Sequence, residues 1–567
     1  MYRRTFTFLA LCWLAQWAMA QAPKWAEKAK RAVFSIVTYD RDDKLLNTGN
    51  GFFVSEDGVA LSDYSLFKGA RRAVAIDSEG KQMPVLCIMG ADDMYDVVKF
   101  RVDIPGKKVN FLPLATTPPA AGAQAYLLPY STQKSAACTQ GTIQAADHAE
   151  GDYLYYTLAL PLKDKMVSCP LATADGTVFA LAQKSSGQDT ATVCYGVDAR
   201  YALAQSISAL SYADDALTGI GIKKALPDDE DDALVMLYMV SAQLPAEKYA
   251  QVLDDFIAQF PQSADGYLRR ASHRLASAQD DEAMKQVEAD LDRALDVATQ
   301  KDDVRYTRAK TIYNYLLSNP AKPYAAWSPD RALDEVREAI RLNPLPVYVQ
   351  LEGDILYLKQ DYAGALAAYE TVNRSDLASA ATFFSAAQAK EMLKAPAQEI
   401  VALMDSCVSR FTPPYTEEAA PYLLARAQAL LNAGQPRPAL LDYDAYFDAV
   451  KGQVNAVFYY YREQAAIQGR QFQRALDDLA RAIELDPQEM LYRGELAVVN
   501  IRVGRYDEAV NVLQEALKVQ PKYAEAYRLM GQAYLQLKKQ DEACAAFAKA
   551  KELGDPNVEA LIEKHCK

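Results

Sequence analysis

Few residues in this chain of 567 residues have the types and spacing that covalent chemistry needs. Acyl transfer by a serine needs a base within hydrogen-bond reach and backbone N–H groups that bind the oxyanion. The chain has three histidines, His148, His273 and His565, and no C-x-x-C pair, so no metal or cofactor site is predicted. Candidate nucleophiles such as Ser168 and Cys169 have one possible base nearby in the sequence, His148. The polar residues around His148 predict a surface loop rather than a catalytic base.

Composition and charge restrict the class of protein. Half of the residues are apolar and 24% are charged, which is ordinary for a soluble globular protein. The length predicts at least two domains. The net charge of -13 argues against a nucleic-acid-binding protein, because phosphate binding needs clustered Lys and Arg.

The N-terminus has the pattern of a signal peptide. Residues 2–4 are basic, residues 6–17 form an apolar run, and Ala18 and Ala20 are the small residues that a signal peptidase reads. We therefore expect a signal peptide at residues 1–20, cleaved after Ala20, and a periplasmic or secreted protein. The run is too short to span a membrane and no later segment reaches 18 apolar residues, so no transmembrane segment is predicted.

Residues 21–215 have the texture of a β domain. Short runs rich in β-branched and aromatic residues alternate with Gly, Pro and Asp clusters. The runs are residues 32–39, 51–54, 73–77, 97–102, 125–128, 153–160, 178–182 and 192–197. Many short strands in such a length predict a barrel or a pair of barrels.

Three ordered motifs in this region resemble trypsin-like serine proteases of the HtrA/DegP type. Residues 49–66 are similar to the family's GSGF strand, DG turn and T-N-x-H-V strand, and residues 96–102 to its D-L-A-V-L-K-V. Residues 165–171 stand where the family has G-N-S-G-G-P-L. The resemblance implies an all-β trypsin-like double barrel. It also implies that the strand 194–197 is the one that pairs with an extended substrate.

The same resemblance places Ser65 at the position of the catalytic His, Asp96 at that of the triad Asp and Val167 at that of the nucleophile. Valine cannot attack a carbonyl, and serine is not a base near neutral pH. Lys165, Ser168 and Cys169 replace the glycines of the oxyanion loop, so we predict a catalytically inactive domain. An active serine endopeptidase with a displaced nucleophile, Ser168, and a displaced base is the alternative.

The acidic stretch at residues 216–232 predicts a linker, and the remaining residues, 233–567, have helical spacing. Within residues 456–556 small and large apolar residues recur with a period of 34. The recurring residues are Ala475, Ala509 and Ala543, then Leu479, Leu513 and Phe547, then Ala482, Ala516 and Ala550. The period resembles that of tetratricopeptide (TPR) repeats, in which each unit is a helix–turn–helix. An all-α TPR solenoid with a C-terminal capping helix at residues 557–564 is predicted.

The TPR resemblance implies that a protein or peptide partner binds the concave face through first-helix positions. These positions are Val457, Tyr460, Gln464, Ile467, Leu491, Val498, Ile501, Arg528 and Gln532. For each of them, packing against a neighbouring helix is the alternative role. Cys544 and Cys566 are spaced to join the last repeat to the terminal helix. Taken together, the sequence predicts an exported scaffold or adaptor protein.

Overall fold

The computed structural model describes residues 23–104, 108–133, 138–184, 192–208, 211, 214–321 and 323–566. The predicted signal peptide at residues 1–20 lies outside the described residues. The chain divides into two compact units, of which one ends at Ser277 and the other begins at Ala278. Within the described ranges, no helix combines the length and the apolar character needed to cross a membrane.

The first unit begins with a closed antiparallel barrel whose strand order is β1-β2-β3-β6-β5-β4. Its strands are β1 Val33–Tyr39, β2 Leu45–Phe53, β3 Val59–Ser62, β4 Arg72–Ile76, β5 Gln82–Asp92 and β6 Val97–Val102. Alternate side chains of β1 and β6 point inward, as the pleat requires, so Phe34, Ile36 and Phe100 fill the interior.

A second closed barrel follows, and its strand order, β7-β8-β9-β12-β11-β10, repeats that of the first. Its strands are β7 Gln124–Leu127, β8 Thr139–His148, β9 Leu154–Ala159, β10 Pro170–Ala172, β11 Val178–Gln183 and β12 Val193–Asp198. All six side chains of β11 are buried. The predicted double barrel is therefore confirmed.

A hydrophobic cluster that includes one of two short helices joins the barrels. The helix α1 (Ala26–Ala29) precedes β1, and α2 (Tyr64–Phe67) follows β3. The cluster combines alanines of α1 with apolar residues of both barrels. Beside it, the Trp25 indole donates a hydrogen bond to the Ala174 carbonyl at 3.0 Å. Gly176 has a φ of +91°, and a Cβ there would lie 2.7 Å from the Trp25 ring, so only glycine fits.

In its described residues, the first unit has five further helices. They are α3 Ala199–Ala204, α4 Asp215–Thr218, α5 Glu230–Ser241, α6 Ala246–Gln259 and α7 Ala264–Ser277. The acidic run of the predicted linker forms the start of α5, where the Asp229 side chain accepts a hydrogen bond from the Asp232 N–H. Acids are favourable there because the helix N-terminus carries partial positive charge. Met236 and Leu237 of α5 belong to the hydrophobic cluster of the first barrel.

The second unit is helical in all of its regular structure within the described residues. Its helices are α8 Asp281–Val297, α9 Lys301–Ser318, α10 Pro329–Leu342, α11 Pro346–Leu358, α12 Tyr362–Val372, α13 Ala380–Met392, α14 Ala397–Val408, α15 Ala420–Asn432, α16 Pro436–Ala449, α17 Ala456–Gln468, α18 Phe472–Leu485, α19 Met490–Arg502, α20 Tyr506–Val519, α21 Ala524–Gln536, α22 Gln540–Glu552 and α23 Glu559–His565. Most consecutive helices are joined by short turns, which is the arrangement that the 34-residue period predicts, whereas residues 319–328 and 409–419 form longer connections.

The recurring small and large residues lie where the helices meet. All nine residues of the period, from Ala475 to Ala550, are fully buried. In the last complete repeat, a Cβ on Gly531 would lie 2.4 Å from the Phe547 ring, so glycine permits the close approach of α21 and α22. A disulfide between Cys544 and Cys566 then joins α22 to the residue after α23.

Arginine–aspartate pairs join the two helices of some repeats. Arg462 of α17 donates hydrogen bonds to both carboxylate oxygens of Asp478 in α18, at 3.0 and 2.6 Å. Arg426 of α15 holds Asp442 of α16 in the same bidentate way, at 2.8 and 2.7 Å. Both aspartates are buried, so each depends on its arginine for the compensation of its charge.

We predict that Arg462→Met lowers the free energy of unfolding of the helical unit by about 3 kcal/mol, because Asp478 then remains buried without a cation. Urea denaturation followed by circular dichroism at 222 nm measures this loss. Arg481→Met is the matched control, since the Arg481–Glu484 pair in α18 is exposed and its loss should leave the midpoint nearly unchanged. Equal midpoints for the two variants would contradict the role of the buried pair.

Candidate functional site

The residues at the predicted base and acid positions lie in contact. Ser65, in α2, donates its backbone N–H to Asp96 Oδ1 at 2.6 Å and its hydroxyl to Asp96 Oδ2 at 3.0 Å. Asp96 lies in the turn between β5 and β6 with a φ of +53°. The carboxylate that would orient a histidine in an active protease is therefore hydrogen-bonded to a serine, which cannot take up a proton near neutral pH.

Val167, at the predicted nucleophile position, ends a 3₁₀ turn formed by Asp164–Met166. Its side chain is half-buried against the core of the second barrel, and its N–H points at the Asp164 carbonyl at 3.5 Å. The Asn50 side-chain amide, from the first barrel, donates to the carbonyls of Lys165 at 3.1 Å and Val167 at 2.8 Å. The loop thus presents its carbonyls to Asn50 and uses the Val167 N–H internally.

Two buried polar residues next to these positions were not anticipated from the sequence. Asp63 and Ser168 are 3% and 1% exposed. Burial, and then the charge of Asp96, raise the pKa of Asp63 well above its usual range, while the nearby Ser168 hydroxyl opposes the shift. Asp63 Oδ1 and Ser168 Oγ make no hydrogen bond of ordinary geometry among the described residues. One feature of the sequence could have indicated this site. Residue 63 is an aspartate, whereas the family's T-N-x-H-V motif has an asparagine at this position.

His148 is the last residue of β8 and is exposed, paired across the ladder with Leu154. The prediction placed it in a loop, whereas it ends a strand. Because Ser168 Oγ has no hydrogen-bond partner among the described residues, His148 makes no hydrogen bond to it.

The strand predicted to pair with an extended substrate is paired on both sides over most of its length. Residues 193–197 of β12 pair with β9, and residues 195–198 pair with β11. The closed barrel therefore already uses the backbone groups on both sides of residues 195–197, and within residues 194–197 a substrate could pair only with Cys194. Gln183, at the end of β11, instead contacts the candidate site, since its Nε2 donates to the Tyr95 carbonyl at 2.6 Å.

Metal binding has no structural support in the described ranges, where no cluster of three or more His, Cys, Asp or Glu residues is placed to hold an ion. Cys169 and Cys194 are buried in the core of the second barrel, and burial raises the pKa of each thiol to about 12. A thiol that keeps its proton is a poor nucleophile.

In the second unit, the predicted peptide-binding positions differ in exposure. Val457 and Leu491 are 46% and 41% exposed, and their side chains are free to contact a partner. The others are half-buried: Tyr460, Gln464, Ile467, Val498, Ile501, Arg528 and Gln532. Tyr460 and Ile467 pack against one helical core, and Val498 and Ile501 against the next.

Arg528 is committed to contacts within its own repeat. It donates hydrogen bonds to Glu525 at 2.6 Å and to Asp555 at 3.0 Å. Its guanidinium is 15% exposed in these pairs.

Comparisons with known proteins agree with the two-part architecture. Residues 49–181 match the model of the trypsin-like peptidase domain. Residues 464–510, 502–538 and 524–553 match models of the tetratricopeptide repeat. Small glutamine-rich tetratricopeptide repeat-containing protein 2 of Mycosarcoma maydis is 30% identical over 96 residues, which are 17% of this chain and 27% of that protein. The chain therefore matches about a quarter of the length of this relative.

Among solved structures, a serine endoprotease from Yersinia pestis is 16% identical, with a TM-score of 0.27 over 31% of this chain and 62% of that chain. A protease from M. tuberculosis in its active form is 20% identical, with a TM-score of 0.28 over 35% of this chain and 84% of that chain. The strand topology and the family models carry the assignment. The chain combines a trypsin-like peptidase domain with tetratricopeptide repeats.

Proposed function

We propose that this chain is an exported scaffold or adaptor protein whose TPR repeats bind a protein partner and whose trypsin-like domain is catalytically inactive. The proposal of an inactive domain rests on the residue at the nucleophile position. Val167 has no nucleophilic atom, and its N–H, which an active protease would direct at an oxyanion, points into its own turn.

The base position supports the same conclusion. Ser65 takes the hydrogen bonds of Asp96 that an imidazole would otherwise make. No group at this position accepts a proton near neutral pH, so a hydroxyl placed nearby would remain protonated.

A displaced nucleophile is poorly supported. A one-residue shift of the motif alignment would place Ser168 at the nucleophile position, but Ser168 is 1% exposed. A substrate carbonyl could reach Ser168 Oγ only if the loop opened. The acid nearest to it, Asp63, is itself buried.

The TPR repeats indicate binding to proteins, and we propose that the partner contacts the predicted first-helix positions. Val457 and Leu491 are exposed apolar side chains on the first helices of consecutive repeats, α17 and α19. Half-buried Tyr460 lies beside them, and its ring centroid is 5.8 Å from that of Tyr492. Apolar and aromatic side chains at helical spacing suit an extended or helical peptide.

Export is the third part of the proposal. The N-terminal residue pattern supports a signal peptide, and the disulfide between Cys544 and Cys566 fits an oxidising compartment.

We predict that a fluorophosphonate probe does not label the mature protein, because no activated serine is available. An active trypsin-like protease, treated in parallel, gives the positive control, and intact mass spectrometry detects the adduct. Labelling that disappears in the Ser168→Ala variant would identify Ser168 as a nucleophile and contradict the inactive domain.

We also predict that protein isolated from the bacterial envelope begins at Gln21 and carries one disulfide, between Cys544 and Cys566. Alkylation without reduction should then modify the five other cysteines: Cys87, Cys138, Cys169, Cys194 and Cys407. Peptide mapping after denaturation measures both properties. A retained N-terminal segment with all cysteines alkylated would contradict export.

A further inference from the structure

An apolar cavity lies between three consecutive helices of the second unit, α13, α14 and α15. Its volume is about 160 Å³. Of the residues that line it, Met404 and Ala429 are buried, and Phe384 and Ile400 are half-buried. The cavity is open to solvent, because other residues of its lining, Gln388 among them, are exposed. A group from outside the chain can therefore enter it.

The size and the lining of the cavity fit one large apolar side chain. In another protein, an apolar cavity of about 150 Å³ binds a benzene molecule, which has the size of a phenylalanine ring, and does not hold water. The side chains of Phe384, Ile400 and Met404 offer dispersion contacts to such a group. A leucine, methionine or phenylalanine of a partner would be removed from water there.

The polar residues of the lining are all exposed, so they surround the entrance of the cavity. They are Gln388 and Glu391 of α13 and Gln428 and Asn432 of α15. A side-chain amide has two N–H donors and a carbonyl acceptor, which are the groups that a peptide backbone needs as partners. Within the described residues, Gln428 uses one N–H in a hydrogen bond to Asn432 Oδ1 at 3.0 Å, and Gln388 uses none.

Glutamine recurs at the same place in several first helices of the repeats. It is the ninth residue of α13, α15, α17 and α21, as Gln388, Gln428, Gln464 and Gln532. In α19, which lies between α17 and α21 in the sequence, Val498 takes this place. Equivalent residues of stacked repeats lie on one face, so we call the four glutamines the glutamine row. The row connects the cavity with the first-helix positions at which partner binding is proposed.

An independent feature supports the register of the glutamine row. Arg426 and Arg462 are the seventh residues of α15 and α17, and each makes a bidentate pair with an aspartate of the following helix. Residues at the same place in these helices therefore have equivalent surroundings. Gln428 and Gln464, two residues further along, are equivalent in the same sense.

The charge at the entrance restricts the partner further. Among the lining residues, all of which are described, Glu391 alone is charged. It is exposed and has no ion-pair partner within the described ranges, whereas its neighbour Lys390 is bound to Glu399 at 2.7 Å. A cation next to the apolar side chain of the partner is complementary to this entrance, and an acid there is repelled.

We propose that the cavity and the glutamine row bind an extended segment of the protein partner, in which one large apolar residue stands beside a lysine or an arginine. The proposal rests on the proposed binding function of the TPR repeats and names its ligand. The apolar side chain enters the cavity, Gln388 and Gln428 bind the peptide groups on either side of it, and Glu391 faces the cation. A helical segment uses its backbone groups internally, so only an extended one can offer them to the amides.

The test begins with a selection of random peptides, displayed on phage, against the full mature protein. We expect the enriched peptides to share one large apolar residue with a lysine or arginine next to it or one position further. Replacement of the apolar residue by alanine in the synthetic consensus peptide should weaken binding at least about tenfold. Enriched peptides that are acidic around the apolar residue, or that tolerate the alanine, would overturn the proposal.

Filling the cavity tests where the apolar residue binds. Ala425 lines the cavity and is half-buried, so the added atoms in Ala425→Leu should occupy the cavity and weaken the consensus peptide at least about tenfold. Ala402→Leu is the matched control, because Ala402 is exposed in α14 and outside the lining, and it should leave the affinity unchanged. Equal affinities of the two variants would overturn the proposal. Thermal unfolding followed by circular dichroism confirms that each variant is folded.

The glutamine variants test backbone recognition, and they do not depend on the folding of Ala425→Leu because both residues are exposed. Gln388→Ala and Gln428→Ala should each weaken the consensus peptide about fivefold, and should weaken its alanine-substituted form by the same factor. Gln514→Ala, an exposed glutamine of the second helix α20, is the control and should change neither affinity. Affinities unchanged by both Gln388→Ala and Gln428→Ala would contradict the role of the glutamine row.

The charge is tested with Glu391→Gln. This variant should bind the consensus peptide about threefold more weakly at low salt and bind the peptide with glutamine in place of its basic residue unchanged. A preference for the basic peptide that persists in Glu391→Gln would place the cation elsewhere and contradict this part of the proposal.

The outcomes distinguish this site from the general binding function. If the enriched peptides tolerate Ala425→Leu and both glutamine variants but lose affinity with Leu491→Asp, the repeats bind peptides elsewhere and the cavity proposal fails alone. If no peptide is enriched, the proposed peptide-binding function fails, and the cavity proposal fails with it.

Discussion

The hydrogen bonds of Asn50 fix the conformation of residues 165–168, the loop that contains the predicted nucleophile position. The Asn50 amide lies in the first barrel and holds two carbonyls of the second, those of Lys165 and Val167. Since the peptide N–H lies opposite its carbonyl, the Ser168 N–H points away from Asn50, to the Ala182 carbonyl at 2.8 Å. To present an oxyanion hole, this loop would have to turn its peptide planes and break the bonds to Asn50.

Two buried aspartates of the second unit are paired with arginines, whereas the buried Glu463 has no such partner among the described residues. The pairs Arg426–Asp442 and Arg462–Asp478 place each buried carboxylate on an arginine of the neighbouring helix, which satisfies both partners. Glu463 occupies a position that is an alanine or a glycine in the next two repeats.

The sequence predicts the architecture well because its signals are local and repeated. The 34-residue period predicts the buried alanines of the repeats, and the barrel motifs assign Ser65 and Asp96 to two positions of the triad, which are in contact in the structure. The contacts made by residues of the candidate sites depend instead on neighbours that are distant in the sequence. Asn50 contacts a loop more than one hundred residues away, and Arg462 meets Asp478 only when the two helices of a repeat pack together. The spacing of residues along the sequence does not predict contacts of this kind. The sequence also does not show that residues 195–197 are paired on both sides, because closure of the barrel decides which strand has an edge.

The central claim is that the trypsin-like domain of this chain has kept its fold and lost its chemistry. The most direct measurement is a search by mass spectrometry for new peptide termini in unfolded β-casein after long incubation with the mature protein, because it does not depend on which residue would act as nucleophile. The account predicts no termini beyond those in casein incubated alone. New termini that appear only in the presence of the natural protein would contradict it.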